Sequence, residues 1–144
     1  MEDPDRSIAR TLESYKAAVL ARDVPAFMRM YDTDVRVFDA WGVWSYEGAA
    51  AWQVAVEGWF TSLGTERVKV EFADVQSVVG GDFASVSAFV TYAGMSAQGE
   101  QLRSMENRLT WVLRMRGHVW RIVHEHTSAP VGFEDSRAIL QRSR

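Results

Sequence analysis

The chain of 144 residues contains no cysteine, which excludes disulfides, a thiolate nucleophile, a CxxC redox pair and cysteine-ligated zinc. It also lacks any apolar stretch approaching the length of a membrane span, and the opening Met-Glu-Asp-Pro-Asp-Arg has no basic flank followed by an apolar run. A soluble, untargeted, cytoplasmic domain is therefore the expectation. Charge of one sign is scarce: 16 basic against 19 acidic residues leave a net charge of -3, so neither nucleic acid nor an anionic membrane surface is an expected partner. The glycines form no phosphate-cradling pattern, no Ser/His/Asp order is convincing, and there is no H-E-x-x-H. Internal repeats, low-complexity tracts and linkers are missing as well, and this length suits one hydrophobic core.

What the chain has instead is aromatic rings. Six Trp, seven Phe and four Tyr are present, with Trp41, Trp44, Trp52 and Trp59 close together. Such rings suit a core, an oligomer interface or a ligand pocket. Asp3-Pro4 predicts a helix start, and Ile8, Leu12, Tyr15 and Val19 recur at helical spacing, which turns Tyr15 toward the core. Pro25 with Val24, Phe27, Met28 and Tyr31 predicts a second short helix. A short strand is expected at Val35 to Phe38, then an aromatic-rich loop from Asp39 to Glu47. A third helix follows Gly48, with Trp52, Val56, Trp59 and Leu63 on one face.

From Arg67 the period changes to two. Val68, Val70 and Phe72 alternate with Arg67, Lys69 and Glu71, and the phase slips near Asp74, which predicts a bulge. Gly80-Gly81-Asp82 supplies a turn into a second strand through Tyr92. Strands from about Arg103 to Met115 and Val119 to Ser128 meet at Arg116-Gly117-His118. Three helices followed by a four-stranded meander predict an α+β domain: a cone-shaped, curved antiparallel sheet wrapped around three N-terminal helices, with a pocket at the open end. The expected domain spans residues 1–131, and 132–144 form a polar C-terminal tail.

His124 and His126 share one strand face because alternate side chains point the same way. With Glu106 or Asp39 opposite, they could form a two-histidine, one-carboxylate metal site, or one imidazole could act as a general acid or base. A polar ligand pocket and a structural hydrogen-bonding role are the other readings. His118 falls in a turn and is expected to be solvated. Trp41, Trp44 and Trp52 suit the rim of a pocket for a ring-shaped ligand. Trp111 and Trp120 could instead lie on the outward sheet face, where large rings mark a partner surface.

The runs Tyr15-Lys-Ala-Ala-Val-Leu-Ala-Arg-Asp23, Met30-Tyr31-Asp32-Thr33-Asp34-Val35 and Phe38-Asp39 resemble the opening of the nuclear transport factor 2-like (cystatin-like) superfamily. The closing runs Gly80-Gly81-Asp82-Phe83-Ala84, Glu106-Asn107-Arg108 and Trp120 to Pro130 resemble its SnoaL-like branch and the association domain of calcium/calmodulin-dependent kinases. The resemblance covers residues 6 to 131. It implies the cone fold, a small-molecule ligand and a homodimer through the outer sheet face. It argues against a metal, and no cofactor is expected.

The separation of Tyr15 and Asp39 is similar to that of the oxyanion-hole tyrosine and catalytic base in ketosteroid isomerases. A carboxylate in an apolar pocket can take a proton alpha to a carbonyl while a phenol donates to the developing enolate. The same residues also fit a core ring with a satisfied hydroxyl and a strand-end carboxylate. Glu106 falls about where the isomerases place a second, protonated acid, but it is Glu rather than Asp, and Arg108 two residues on would keep it ionised. Arg108 matches an arginine that looks into the cone in the association domains, which implies an acidic ligand or a Glu106 partner; an ion pair with Glu106 or Glu125 on the sheet surface is the alternative. The expected catalytic set is Asp39, Tyr15, His124 and His126, and the expected ligand contacts are Arg108, Glu106, Trp44, Trp52 and Phe38. As an enzyme the protein would be a cofactor-independent isomerase, cyclase or dehydratase acting on a ring-containing or carbonyl substrate. A non-catalytic ligand-binding or association module, and a hydrolase or dehydratase that activates water with His124 or His126 and Asp39, are the alternatives.

Overall fold

The computed structural model describes residues 3–143; the first two residues of the expected domain and Arg144 of the expected tail lie outside them. Helix α1 (Pro4–Ala21) starts where the Asp3 carboxylate accepts from the Asp5 N–H at 3.1 Å, with proline at the first helical position. Ile8, Leu12, Tyr15 and Val19 are all buried, so one stripe carries the helix onto the sheet. It stops at Arg22, whose backbone turns left-handed and returns its N–H to Ala18 and Val19. Helix α2 (Val24–Met28) is a single capped turn that seats Phe27 in the core, and α3 (Ala49–Ser62) buries Trp52, Val56 and Phe60.

The strands are β1 (Tyr31–Phe38), β2 (Tyr46–Glu47), β3 (Arg67–Gly80), β4 (Phe83–Met95), β5 (Gln101–Arg116) and β6 (Val119–Ser128). They form one sheet in the order β2-β1-β6-β5-β4-β3. The four-stranded meander matches the alternation in the sequence. The sheet is mixed rather than wholly antiparallel, because β1 lies parallel to β6. Its partner arrives from the far end of the chain, and local periodicity carries no signal for such a pairing.

Two of the register shifts in the sheet bear on the site. Between Ala73 and Gln76 the β3–β4 register shifts, and Asp74 there has φ 52°, where the sequence loses phase. A second shift lies between β5 and β6: Leu113 faces Ile122, but Val112 faces His124, so Val123 is the extra residue. Before it Trp120 and Ile122 point into the core; after it Glu125 and Thr127 do. Between helices and sheet the Tyr15 ring packs against Phe27 at 5.2 Å and against Trp111 at 5.7 Å between centroids. Trp111 and Trp120 are therefore core residues, contrary to the outward position expected of them, because both sit on the concave parity of their strands. No helix of the described residues is long and apolar enough to cross a membrane.

Beyond the end of β6, the edge of β5 is covered by the C-terminal segment rather than left to a trailing tail. The Glu106 N–H donates to the Leu140 carbonyl at 2.8 Å, and Gln141 Nε2 donates to the Ser104 carbonyl at 2.6 Å. Arg142 gives Glu106 a backbone N–H at 3.1 Å and its Nε at 2.8 Å, and lies 4.1 Å over the Phe89 ring. Arg142→Ala removes a charge-assisted hydrogen bond and a cation–π contact, so urea unfolding should show a loss of about 1.5–3 kcal/mol. Faster amide exchange at Glu106 should accompany it.

Candidate functional site

The helices do not fill the wide end of the cone, and a cavity of about 650 Å³ remains there. Tyr15 from α1, Trp52, Val56 and Trp59 from α3, and Tyr92, Asn107 and Glu125 from the sheet form its walls. Asp39, Trp41 and Gly42 approach from the loop after β1, and Leu140 closes the β5 side.

Asp39 stands where β1 ends. The Thr127 hydroxyl donates to its Oδ1 at 3.1 Å and itself accepts from the Ala40 N–H at 2.9 Å. Partial burial pushes the Asp39 carboxyl above its ordinary range, against the pull of Thr127 and of the Trp41 and Ala40 amides. The Tyr15 and Tyr92 hydroxyls are 2.8 Å apart. Burial, then neighbouring negative charge, raises both phenols well above their ordinary value, so both remain neutral hydrogen-bond donors. One hydroxyl donates to the other, which leaves one proton of the pair for a ligand.

Glu125 sits deeper and is 2% exposed. Its Oε1 accepts from the Tyr31 hydroxyl at 2.5 Å and from Trp111 Nε1 at 2.9 Å. Burial outweighs these two donors and pushes the carboxyl up to about 7, with the Asp39 charge adding to the shift. Trp52 Nε1 completes no hydrogen bond of proper geometry, yet lies near enough to the Tyr31 hydroxyl to act against the rise of that phenol.

The structure thus brings Tyr15, Asp39 and Trp52 of the expected site residues to one void. It does not bring the others. His124 and His126 share a face, but it is the outer one, because the extra residue at Val123 reverses the parity of β6. His124 Nδ1 donates to the Arg36 carbonyl at 2.7 Å, and the two imidazoles flank Phe38 edge-on at 5.0 and 5.5 Å. Phe38 is accordingly outside the cavity, in an outer cleft with His126 and Trp44 that Asp39 also borders. Trp44 is 96% exposed, at the loop tip. Glu106 and Arg108 also face outward: Glu106 is held by Arg142, and Arg108 donates to Ser128 Oγ at 3.1 Å. The inward residue between them is Asn107. Glu125 is buried among tyrosines and tryptophan rather than paired on the surface. Among the described residues no group of three His, Asp or Glu side chains is placed to hold a metal ion.

Residue alternation did not single out Glu125 or Asn107 as cavity groups, nor Thr127 as the partner of Asp39. Tyr92 lies on the inward face of β4 with Val86 and Val90, a side that the alternation alone left unassigned. For the β6 residues the signal was absent, since one inserted residue inverts every assignment after it.

The model of the SnoaL-like domain family matches residues 8–132. No curated protein matches the sequence. Among solved structures, an NTF2-like protein of unknown function from Pseudomonas putida KT2440 is similar at 25% identity and TM-score 0.83, over 96% of this chain and 95% of that one. A provisionally assigned calcium/calmodulin dependent protein kinase II association domain from Xanthomonas campestris is similar at 17% identity and TM-score 0.75, over 90% and 89%. A cystatin-like protein of unknown function from Nostoc punctiforme superposes at 10% identity and TM-score 0.70, over 86% and 89%. With 125 consecutive residues matched, the chain belongs to the SnoaL-like domain family.

Proposed function

We propose that the cavity is a cofactor-independent acid–base site that moves a proton on a ring-containing carbonyl ligand. Asp39 takes the proton alpha to the carbonyl, and the Tyr15–Tyr92 pair donates to the oxygen on which negative charge develops. The proton leaves carbon for the Asp39 carboxylate and returns to carbon in the isomerised or cyclised product. The observation that carries this reading is a carboxylate of raised proton affinity lining the same apolar void as two hydrogen-bonded phenols. A histidine-dependent, water-activating reaction is favoured less, since both β6 imidazoles face away from the void and His126 shares only the open outer cleft with Asp39. A plug of Arg108 and Glu106 in the cone would favour the binding-module alternative, and both side chains bond partners outside the cavity instead.

The test is proton exchange. A panel of cyclic ketones incubated with the protein in heavy water should acquire deuterium at the alpha carbon, followed by NMR. A panel without any catalysed exchange removes the reading.

Assembly as a homodimer through the outer sheet face is part of the proposal. It rests on the similarity to an association domain and on the exposure of Val75, Val78 and Phe83 on β3 and β4. Light scattering should give twice the 16.3 kDa chain mass; a monomer at micromolar concentration contradicts it.

A further inference from the structure

Asn107 lies on the concave face of β5, opposite Val90, and its side chain is an anomaly there. The residue is 5% exposed, lines the cavity, and its Oδ1 has no hydrogen-bond partner. No other hydrogen bond of this amide is formed among the described residues. Both strand neighbours are satisfied on the other face. Buried polar groups without partners are few in folded proteins and call for a reason. An apolar side chain would close the same space without leaving a polar group unsatisfied.

The charges around the void narrow what could satisfy that amide. Its carboxyls are Asp39 and Glu125, and its one lining cation among the described residues is Arg103. Arg103 is already engaged, since its two terminal nitrogens bond Glu66 at 2.8 and 3.1 Å. An anionic ligand would bring a further negative charge beside Asp39 with no unengaged cation to meet it.

We propose that Asn107 is the ligand-selecting residue of the cavity: its unpaired amide takes a hydroxyl or carbonyl oxygen of an uncharged, flat ring ligand, and the cavity rejects the corresponding carboxylate. A half-turn of the amide exchanges its donor and acceptor ends, so either oxygen function can be read. The apolar walls of Trp52, Val56 and Trp59 take the ring. This ligand class rests on the cavity being the binding site, and does not require Asp39 to act as a base.

Fluorescence titration with 2-naphthol and 2-naphthoate tests it, at about pH 7, where the phenol keeps its proton and the carboxylate is charged. Wild type should bind the naphthol at least about tenfold more tightly than the naphthoate. Asn107→Leu should weaken naphthol about tenfold while the thermal midpoint stays or rises, because an unsatisfied polar group has been removed. Asn107→Ala serves as the second variant, with the same loss of affinity expected. Equal affinity of wild type for the two probes overturns the proposal. So does naphthol binding unchanged in both variants, or an affinity loss that only follows a falling midpoint in both. If the naphthol pattern holds while ketone exchange is absent, the base assignment fails and the ligand class stands.

Discussion

Asp39→Asn should reduce alpha-proton exchange by about 10²–10⁴-fold, the usual contribution of a positioned general base. The amide keeps the size of the side chain and an oxygen for the Thr127 hydroxyl, so the loop after β1 should hold its place. Naphthol binding should change little, which separates loss of the base from loss of the site. The wild-type rate should also depend on pH in a particular way. Activity rises as Asp39 loses its proton, with a midpoint above the ordinary carboxylate range because burial raises that group. It falls again as Glu125 ionises near 7 and places a second negative charge beside the forming enolate. Tyr15→Phe should lower the maximum without moving the rising limb. An Asp39→Asn protein with wild-type exchange would remove Asp39 from the chemistry.

The second large effect concerns stability. Glu125 is raised from 4.5 to about 7 in the folded protein, so the native state holds its proton over a range where the unfolded chain has released it. Below the unfolded value both states are protonated, and stability carries no cost from this group. As pH rises from about 4.5 through 7, the native state binds more protons than the unfolded state, and stability falls. The loss is on the order of 3 kcal/mol. Asp39, also raised, acts in the same direction. Glu125→Gln keeps an oxygen for Tyr31 and Trp111 but cannot ionise. Its urea midpoint should therefore fall less over that pH window than the wild type's, keeping only the decline that Asp39 contributes, and the two curves should separate most above pH 7. Parallel curves would mean that Glu125 is charged at no cost, and that the protein field around it is more polar than its neighbours imply.

The helices and the meander were legible because each carries its own period. The Asp3-Pro4 start, the Ile8 to Val19 stripe and the phase slip at Asp74 are local features, and the structure realises each of them. Tyr15 faced the core for the same reason. The floor of the cavity was not legible, because it depends on whether β6 is paired with or without an extra residue opposite Val112. That single insertion decides whether two imidazoles or a carboxyl and a hydroxyl enter the cone. The orientation of Glu106 followed the same logic on β5: its strand neighbour Asn107 takes the inner position, and the C-terminal segment, which alternation marked only as polar, supplies the partner for the outer one. The β1–β6 pairing joins residues about ninety positions apart, so no local pattern announces it.

Two carboxyl groups of raised proton affinity face one hollow interior. Carbon-13 NMR of the side-chain carboxyls, followed through pH in wild type with Asp39→Asn and Glu125→Gln as assignments, reads both groups directly. Glu125 should titrate near 7 and Asp39 above the ordinary aspartate range, each midpoint shifting when the other group is neutralised. Two independent titrations at ordinary carboxylate values would show both groups bathed in water, and would contradict the site.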